Sequence, residues 1–360
     1  MRNAGWHCLC VTLVSGLLQA QPAVEQIRRS AILIDSHNDV PLRVLKGFDI
    51  GKRTAEGHTD APRLREGGVG AVFFSAFVSP GRVKTRDAAH NGLELIDAIR
   101  QSVVAEHSGE FALAVSADEI DAAHRQGKIA ALIGVEGGHA IEDSLGILRA
   151  FYALGARYMT LTHANTNNWA DSCGDLGDRA VEHHNGLTGF GREVIREMNR
   201  LGMMVDVSHV SDKTFRDVLE TTRVPVFASH SSCRAVCDVP RNMTDEMIRA
   251  MVKKGGVIQI NFNAEFLTLR KDPPANLDDV VAHIDHAVKV AGIDGVGIGS
   301  DFDGIDQAPA GLDDVSRFPN LTRALLRRGY SAADIVKIYG GNMLRFMRAV
   351  EAARTCYSQP

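Results

Sequence analysis

Seven histidine and acidic residues that could bind a metal lie where short apolar runs of the sequence end. Each run has the composition of a β-strand that is buried on both faces. The seven residues are His37, Asp39, Glu136, His163, His209, His230 and Asp301. Imidazole nitrogen and carboxylate oxygen are ligands that zinc prefers. If the runs form neighbouring parallel strands, these side chains meet in one site at the carboxyl ends of the strands.

The spacing of these residues predicts two metal ions that share one carboxylate. Residues two apart on an extended chain project to the same side, as in the H-x-D pair of His37 and Asp39. We expect this pair and one oxygen of Glu136 to bind one zinc ion. His209 and His230, with the other oxygen of Glu136, would bind the second. Two ions about 3.5 to 4 Å apart would hold a bridging hydroxide between them.

Each of these residues also has an ordinary structural interpretation. A single histidine at a strand end is usually only hydrogen-bonded. Asp39, Asp301 and Asp303 are of a type that often fixes turns, and Glu136 could be a solvated loop residue. It is the placement of all the residues at equivalent strand ends that favours the metal site.

The elements that position these residues are predicted to form a closed parallel barrel. We predict eight strands, at residues 32–35, 69–77, 129–135, 157–162, 203–208, 225–229, 256–261 and 295–300. Amphipathic, helix-like stretches lie between them, at 88–107, 144–155, 189–202, 244–255 and 277–292. Eight strand-helix units predict an α/β fold, a (β/α)8 TIM-like barrel of the metal-dependent hydrolase type. Residues 24–360 are expected to form this single catalytic domain.

The ends and the composition of the chain limit its location and its partners. Residues 1–23 carry an early arginine, an apolar run and then small residues, which predicts a signal for export, with a cytoplasmic protein that keeps an N-terminal extension as the alternative. No apolar run reaches membrane-spanning length, and the C-terminus lacks the tail of a lipid-anchor signal, so no membrane anchor is expected. A formal net charge of -4 provides no basic surface for nucleic acid.

The other reactive residue types predict no further chemistry. The sequence has no CxxC spacing, which argues against a thiolate zinc site. Cys233 follows His230 by three residues, but nothing marks its thiol as activated, so we interpret it as structural. His139, His183 and His184, and the histidines of 283–286, fall in helical or loop stretches and are expected at the surface or behind the ligands.

Long blocks of the sequence resemble the membrane or renal dipeptidases, the zinc peptidases of family M19, which have an amidohydrolase-like barrel. The resemblance runs from about Ile32 to Glu351. It rests on the motifs SHNDVP, VEGGHAIEDSLGILRAFYALGARYMTLTHANTNNWAD, GREVIREMNRLGMMVDVSHVS, PVFASHSSCRAVCDVPRN and GIGSDFDG. Such blocks in the family order are far more specific than any single spacing.

The resemblance implies a role for each matched residue. The implied metal ligands are His37 and Asp39 for one zinc, His209 and His230 for the other, and Glu136 between them. His163 matches the histidine that contacts the scissile carbonyl oxygen. Arg241, in DVPRN, matches the arginine that binds the terminal carboxylate, and Asp301 matches the aspartate that manages protons.

The function expected from these parts is hydrolysis of dipeptides by a metal-bridging hydroxide. Family members often accept a D-residue at the second position, and a homodimer is compatible with the resemblance. Cys237 lies where mammalian members have a disulfide cysteine, but NFNAEFLTL offers no partner for it, so we expect no bridge and a bacterial-type enzyme. The alternatives are an N-acyl amino acid deacylase or other amidohydrolase with the same centre, and a non-catalytic binding protein on the same barrel.

Overall fold

The structure is a computed structural model that describes residues 22–355. Most of the predicted export signal, residues 1–21, and the last five residues lie outside this range. The strands are β1 Leu33–Asn38, β2 Val69–Phe77, β3 Phe111–Leu113, β4 Ile129–Glu136, β5 Ala156–Thr160, β6 Met204–Asp206, β7 Phe227–Ser231, β8 Val257–Ile260 and β9 Val296–Ile298.

Eight of these strands form a closed ring in which all neighbours are parallel. The order around the ring is β1, β2, β4, β5, β6, β7, β8 and β9, and β9 pairs with β1. The longest pairing joins Ala71–Phe77 of β2 to Ala130–Glu136 of β4. The short strand β3 pairs with the start of β4 and is not part of the ring. The predicted (β/α)8 barrel is therefore confirmed, and each predicted run overlaps one barrel strand.

Helices surround the ring. Their bounds are α1 22–30, α2 Pro41–Val44, α3 Ala61–Gly67, α4 Gly81–Thr85, α5 Ala88–Ala98, α6 Ala117–Arg125, α7 Leu145–Ala153, α8 Gly189–Leu201, α9 Asp212–Thr221, α10 Asp245–Lys253, α11 Ala264–Leu267, α12 Leu277–Ala291, α13 Phe318–Arg328, α14 Ala332–Val336 and α15 Asn342–Ala352. Helix α5 continues as a π-helix over Ile99–Ala105. No helix between residues 22 and 355 combines the length and the apolar character needed to cross a lipid bilayer.

Short polar side chains determine where many of these helices begin. Ser116 accepts a hydrogen bond from the backbone N–H of Glu119, which satisfies one of the free donors of the first turn of α6. The same kind of cap begins other helices of the outer layer, namely Ser144 of α7, Thr188 of α8, Ser211 of α9, Thr244 of α10 and Ser331 of α14. The helices predicted from amphipathic stretches correspond to α5, α7, α8, α10 and α12.

Alternation along β4 determines which side chains face the barrel interior. Ile129, Ala131, Ile133 and Val135 pack in the cluster formed with the outer helices. Ala130 and Leu132 pack in the second cluster, which includes Phe346 of α15. Because side chains alternate with a period of two, Gly134 and Glu136 also face the interior. Phe346 lies 5.0 Å from the ring of Phe227, so α15 closes the end of the barrel opposite Glu136.

Gly134 provides the space that a buried tyrosine of the neighbouring strand occupies. Gly134 of β4 is paired with Tyr158 of β5, whose side chain is completely buried. A Cβ atom on Gly134 would lie 2.0 Å from Cζ of the Tyr158 ring. Real Cβ atoms do not approach ring carbons so closely, so only glycine fits here without movement of the ring.

We expect Gly134→Ala to destabilise the protein by at least about 2 kcal/mol, because overpacking inside a rigid barrel forces Tyr158 from its position. Urea denaturation would measure the loss. Gly189→Ala is the matched control, since a Cβ on the first residue of α8 meets no atom within 4 Å. Its effect should stay within about 0.5 kcal/mol or be stabilising. Equal losses for the two variants would contradict this account of Gly134.

Candidate metal centre and catalytic cavity

Glu136, the last residue of β4, lies at the centre of the site. Its Oε1 atom is 3.1 Å from Nε2 of His209 and 3.2 Å from Nε2 of His230. Its Oε2 atom is 3.4 Å from Nε2 of His37. The Nε2 atoms of His209 and His230 are 3.0 Å from each other. The two oxygens of one carboxylate therefore face two different groups of histidines.

His37 and Asp39 lie together at the end of β1, as their spacing predicted. Nε2 of His37 is 3.3 Å from Oδ2 of Asp39, and the His37 ring stacks on the ring of His230 at 3.7 Å. Nε2 of His37 and Oδ1 of Asp39 are buried and make no hydrogen bond with the residues described. Buried polar atoms without a partner are costly, and a bound cation would satisfy both atoms.

Three groups of three residues bring potential ligand atoms within 4.8 Å of one another. The groups are His37 with Glu136 and His230, Glu136 with His163 and His209, and His37 with Asp39 and Asp301. All seven residues selected from the sequence belong to these groups. The structure thus brings together the whole predicted set, and the donor atoms fit a metal centre in both number and type.

The protonation states of Glu136 and of two of its three histidine neighbours favour metal binding. Burial, with the positive charge of Arg241 among the other causes, holds the pKa values of His209 and His230 well below their ordinary value. Burial alone would raise the pKa of Glu136, but His37 and the hydrogen bonds from His209 and His230 outweigh it and hold this pKa well below its usual range. Burial alone would lower the pKa of His37, but its interactions with Tyr158, Glu136 and Asp39 outweigh it and hold this pKa well above the ordinary value. The neutral His209 and His230 beside an ionised Glu136 are therefore ready to bind a metal, whereas a metal at His37 must displace a proton.

The centre opens into a cavity of about 550 Å³. His163, three residues after β5, lies in its wall, and burial lowers the pKa of its imidazole. Nδ1 of His163 is buried and makes no hydrogen bond with the described residues. Other residues of the wall are Asp39, Phe77, Glu136, Cys173, His209, Arg241, Asn263, Phe266, Asp301 and Asp303. The volume suits a small ligand.

Arg241 is fixed to the strand that carries His230. Its NH1 group donates a hydrogen bond to Oγ of Ser231 at 2.9 Å, and its NH2 group donates one to the backbone oxygen of His230 at 2.8 Å. Its Nε–H group is buried without a partner among the residues described. The guanidinium group is therefore held rigidly in the cavity wall and keeps N–H groups for an anionic ligand.

Asp301 begins a tight turn three residues after the end of β9. Its φ of 63° is in the left-handed region, and its Oδ2 atom accepts a hydrogen bond from Nδ2 of Asn261 at 2.9 Å. Burial, with the nearby charges of Asp39 and Glu136, raises the pKa of Asp301 to about 8. A Cβ atom on Gly304 would lie 2.2 Å from Oδ2 of Asp39, so only glycine allows the turn to approach this closely. A carboxyl group with such a pKa can both accept and donate a proton near neutral pH.

The cysteines and the other histidines occupy supporting positions. Cys173, Cys233 and Cys237 are buried free thiols, and burial raises the pKa of Cys233 to about 12, which agrees with the structural interpretation of Cys233. Nδ1 of His283 accepts a hydrogen bond from the backbone N–H of Cys233 at 3.0 Å, and its Nε2 lies 3.0 Å from the backbone oxygen of Leu267. His283 thus holds the segment that follows β7.

Proteins with similar sequences carry the name dipeptidase. The family model for membrane dipeptidases, peptidase family M19, matches residues 21–359. The chain belongs to the membrane dipeptidase family. Dipeptidase 3 of Rattus norvegicus is 40% identical over 334 residues, which are 91% of this chain and 67% of that protein. Dipeptidase 3 of Homo sapiens is 39% identical over 343 residues, 94% of this chain and 69% of that protein.

Solved structures of bacterial proteins share the fold of this dipeptidase family member. The probable dipeptidase PvdM from Pseudomonas aeruginosa superposes with a TM-score of 0.85 at 26% identity, over 93% of this chain and 99% of that one. A metallo peptidase from Rhodobacter sphaeroides, liganded with a phosphinate mimic of the dipeptide L-Ala-D-Ala, superposes with a TM-score of 0.79 at 28% identity. The match covers 89% of this chain and 99% of that one. Family membership makes the protein a metallo-dipeptidase by class.

Sequence reasoning missed the polar residues that lie behind the dipeptidase centre. Nδ1 of His37 is 2.7 Å from the hydroxyl group of Tyr158, and Nδ1 of His230 is 2.7 Å from Oγ of Ser229. Asp35 and Asp206 lie deeper and are completely buried. A signal for them was present, because an aspartate inside an apolar strand that is buried on both faces must have hydrogen-bonding partners.

The pKa of Asp301 predicts how the stability of the metal-free dipeptidase changes with pH. Its folded pKa, about 8, is above the ordinary value of 3.8, so between these values the folded protein binds the proton more tightly than the unfolded chain does. The contribution to stability is complete below pH 4 and is lost as the pH rises towards 8. Asp301→Asn should gain stability relative to the wild type between pH 5 and pH 8, by at most about 1.4 kcal/mol per pH unit. Urea denaturation of both metal-free proteins at the two pH values would test this, and a constant difference would refute it.

Proposed function

We propose that this protein is a zinc-dependent dipeptidase that hydrolyses the peptide bond of dipeptides with free termini. The observation that carries the proposal is the position of Glu136, whose two oxygens face two groups of histidines at the floor of a cavity that also holds Arg241. Similarity to proteins named dipeptidase supports the substrate class.

Five residues would hold two zinc ions in this proposal. They are His37 and Asp39 for one ion, His209 and His230 for the other, and Glu136 for both. The unpartnered buried atoms of His37 and Asp39, and the 3.0 Å approach of the His209 and His230 Nε2 atoms, support these assignments. When bound, a zinc pair supplies a hydroxide nucleophile at neutral pH and polarises the substrate carbonyl.

The residues of the cavity wall would bind the dipeptide and move its protons. The free N–H groups of Arg241 would bind the terminal carboxylate, which orients the peptide bond over the floor of the cavity. His163 would contact the carbonyl oxygen and stabilise the negative charge that develops there. Asp301 would accept the proton of the nucleophile and then deliver it to the leaving amine, a role that its position beside His37 and Asp39 in the cavity wall supports.

The proposal includes dipeptides with a D-residue at the C-terminal position. Its support is the Rhodobacter sphaeroides metallo peptidase, a relative over 89% of this chain whose structure contains a phosphinate mimic of L-Ala-D-Ala. A panel of matched L,L and L,D dipeptides would test it. Turnover of L,L substrates alone would limit the activity to ordinary dipeptides. Turnover of N-acylated amino acids without dipeptides would instead identify an N-acyl amino acid deacylase.

Removal of metal should abolish hydrolysis, and zinc should restore it. We expect close to two zinc equivalents per chain by elemental analysis, and loss of activity in parallel with loss of zinc during dialysis against a chelator. Asp301→Asn should keep its zinc and lose most of kcat, since it removes proton transfer, an effect of about 10² to 10⁴ in rate. Full activity in a metal-free preparation would exclude the mechanism.

Arg241→Ala should raise KM for dipeptides by about 10- to 100-fold, because it removes charge-assisted hydrogen bonds to the terminal carboxylate. C-terminally amidated dipeptides lack that carboxylate and form the matched substrate control. Their kcat/KM should be low for the wild type and change little in the variant. Equal proportional losses on free and amidated dipeptides would rule out the assigned role of Arg241.

A further inference from the structure

Asp206, the last residue of β6, is a completely buried acid one layer below the proposed metal ligands. Its Oδ1 atom accepts hydrogen bonds from the backbone N–H groups of Ser208, at 3.0 Å, and Ser229, at 2.8 Å. Its Oδ2 atom contacts two hydroxyl groups, Oγ1 of Thr160 at 2.5 Å and Oγ of Ser229 at 2.6 Å. Asp206 is neither a proposed metal ligand nor part of the cavity wall.

The Ser229 hydroxyl group connects Asp206 to His230. Oγ of Ser229 is 2.6 Å from Oδ2 of Asp206 and 2.7 Å from Nδ1 of His230. As a carboxylate, Asp206 has no proton to donate, so the Ser229 hydroxyl must donate its own proton to it. The serine oxygen then accepts from His230, which requires the proton of the imidazole to be on Nδ1. Nε2 of His230, which faces Glu136, is left with a free lone pair.

We propose that Asp206, acting through Ser229, is a positioning residue that holds His230 in the tautomer able to bind zinc. The inference rests on the proposed zinc centre and adds to it the residue that orients one zinc ligand, His230. A carboxylate behind a metal-binding histidine fixes its ring and increases its basicity. Here the carboxylate of Asp206 does not contact the imidazole of His230 directly. It acts through the hydroxyl group of Ser229.

A similar arrangement at the first strand lacks this connection. Asp35 accepts hydrogen bonds from the backbone N–H of Ser300 at 2.8 Å and from its hydroxyl at 2.6 Å, as Asp206 does from Ser229. The Ser300 hydroxyl also lies 3.5 Å from the backbone oxygen of His37, whereas Nδ1 of His37 contacts the neutral hydroxyl of Tyr158. Of these two buried carboxylates, only Asp206 is connected to an imidazole ring.

Asp206→Asn should reverse the direction of the hydrogen bonds. The two backbone N–H groups at Oδ1 can only donate, so the amide oxygen must remain there and the amide NH₂ must take the place of Oδ2. That NH₂ would donate to Ser229, whose hydroxyl would then donate to Nδ1 of His230. The proton of His230 would move to Nε2, where it blocks the metal.

Three variants test the hydrogen-bond relay from Asp206 through Ser229 to His230 by measuring zinc affinity. Metal-free wild type, Ser229→Ala, Asp206→Asn and the control Thr160→Val would be titrated with zinc against a chromophoric chelator. Ser229→Ala should weaken one of the two zinc sites by about 10- to 100-fold, and Asp206→Asn by at least as much. Thr160→Val also removes one hydroxyl group from Oδ2 of Asp206 but none from His230, so its zinc affinity should match that of the wild type.

Two further measurements separate positioning from a purely structural role. Thermal unfolding of the metal-free proteins should show that both Ser229→Ala and Thr160→Val remain folded, with the larger loss of stability in Ser229→Ala, because the Ser229 hydroxyl bonds both Asp206 and His230 whereas the Thr160 hydroxyl bonds Asp206 alone. The Nδ1–H proton signal of His230 in the zinc-loaded protein should be present in the wild type and in Thr160→Val and lost by exchange in Ser229→Ala.

The outcomes distinguish this inference from the proposed function. Equal zinc affinity in Ser229→Ala and Thr160→Val would overturn the relay and leave the zinc centre intact. A wild-type protein that binds no zinc would overturn both. If Asp206→Asn does not fold, the comparison of Ser229→Ala with Thr160→Val still decides the question.

Discussion

The position of one carboxylate, that of Glu136, constrains most of the structure around it. Its two oxygens contact a histidine of β1 on one side, and on the other a histidine that follows β6 and one of β7. These strands can all reach Glu136 only if the ring is closed, which it is because every strand pairs with both of its neighbours, β9 with β1 included. Alternation along β4 then turns Glu136 inward and leaves its apolar neighbours for the outer helices. The closed barrel is therefore a requirement of the site as well as a scaffold for it.

The polar groups below the centre explain why the barrel strands are not purely apolar at their carboxyl ends. Asp35 and Asp206 are completely buried, and each is bonded to both the N–H and the hydroxyl group of a serine on the neighbouring strand. Those serines, Ser300 and Ser229, directly precede Asp301 and His230. Satisfied networks of this kind rigidify their surroundings, while unsatisfied ones are costly. They place the residues of the site more tightly than apolar packing alone would.

The sequence was sufficient to predict the barrel and the positions of the seven clustered residues, because hydrophobic runs and the residue that ends each run are local features. Arg241 was recognised only through the family resemblance, since its contacts to Ser231 and His230 arise from the return of a loop. The relay from Asp206 depends on the register between β6 and β7, which no local pattern encodes. Strand β3 was missed because three residues carry too little periodicity.

The pairing of β9 with β1 determines when the centre can exist during the life of the chain. Asp35 of the first strand is paired with Ile298 of the last, and Asp301, which lies beside Asp39, follows three residues later. Helix α15, which fills the opposite end of the ring, comes later still. A ribosome must therefore make almost the whole chain before the ring can close, because contacts of such long sequence separation form only when both partners are present. The residues of the centre can therefore meet only late in synthesis, and a chain that ends before β9 has no closed cavity.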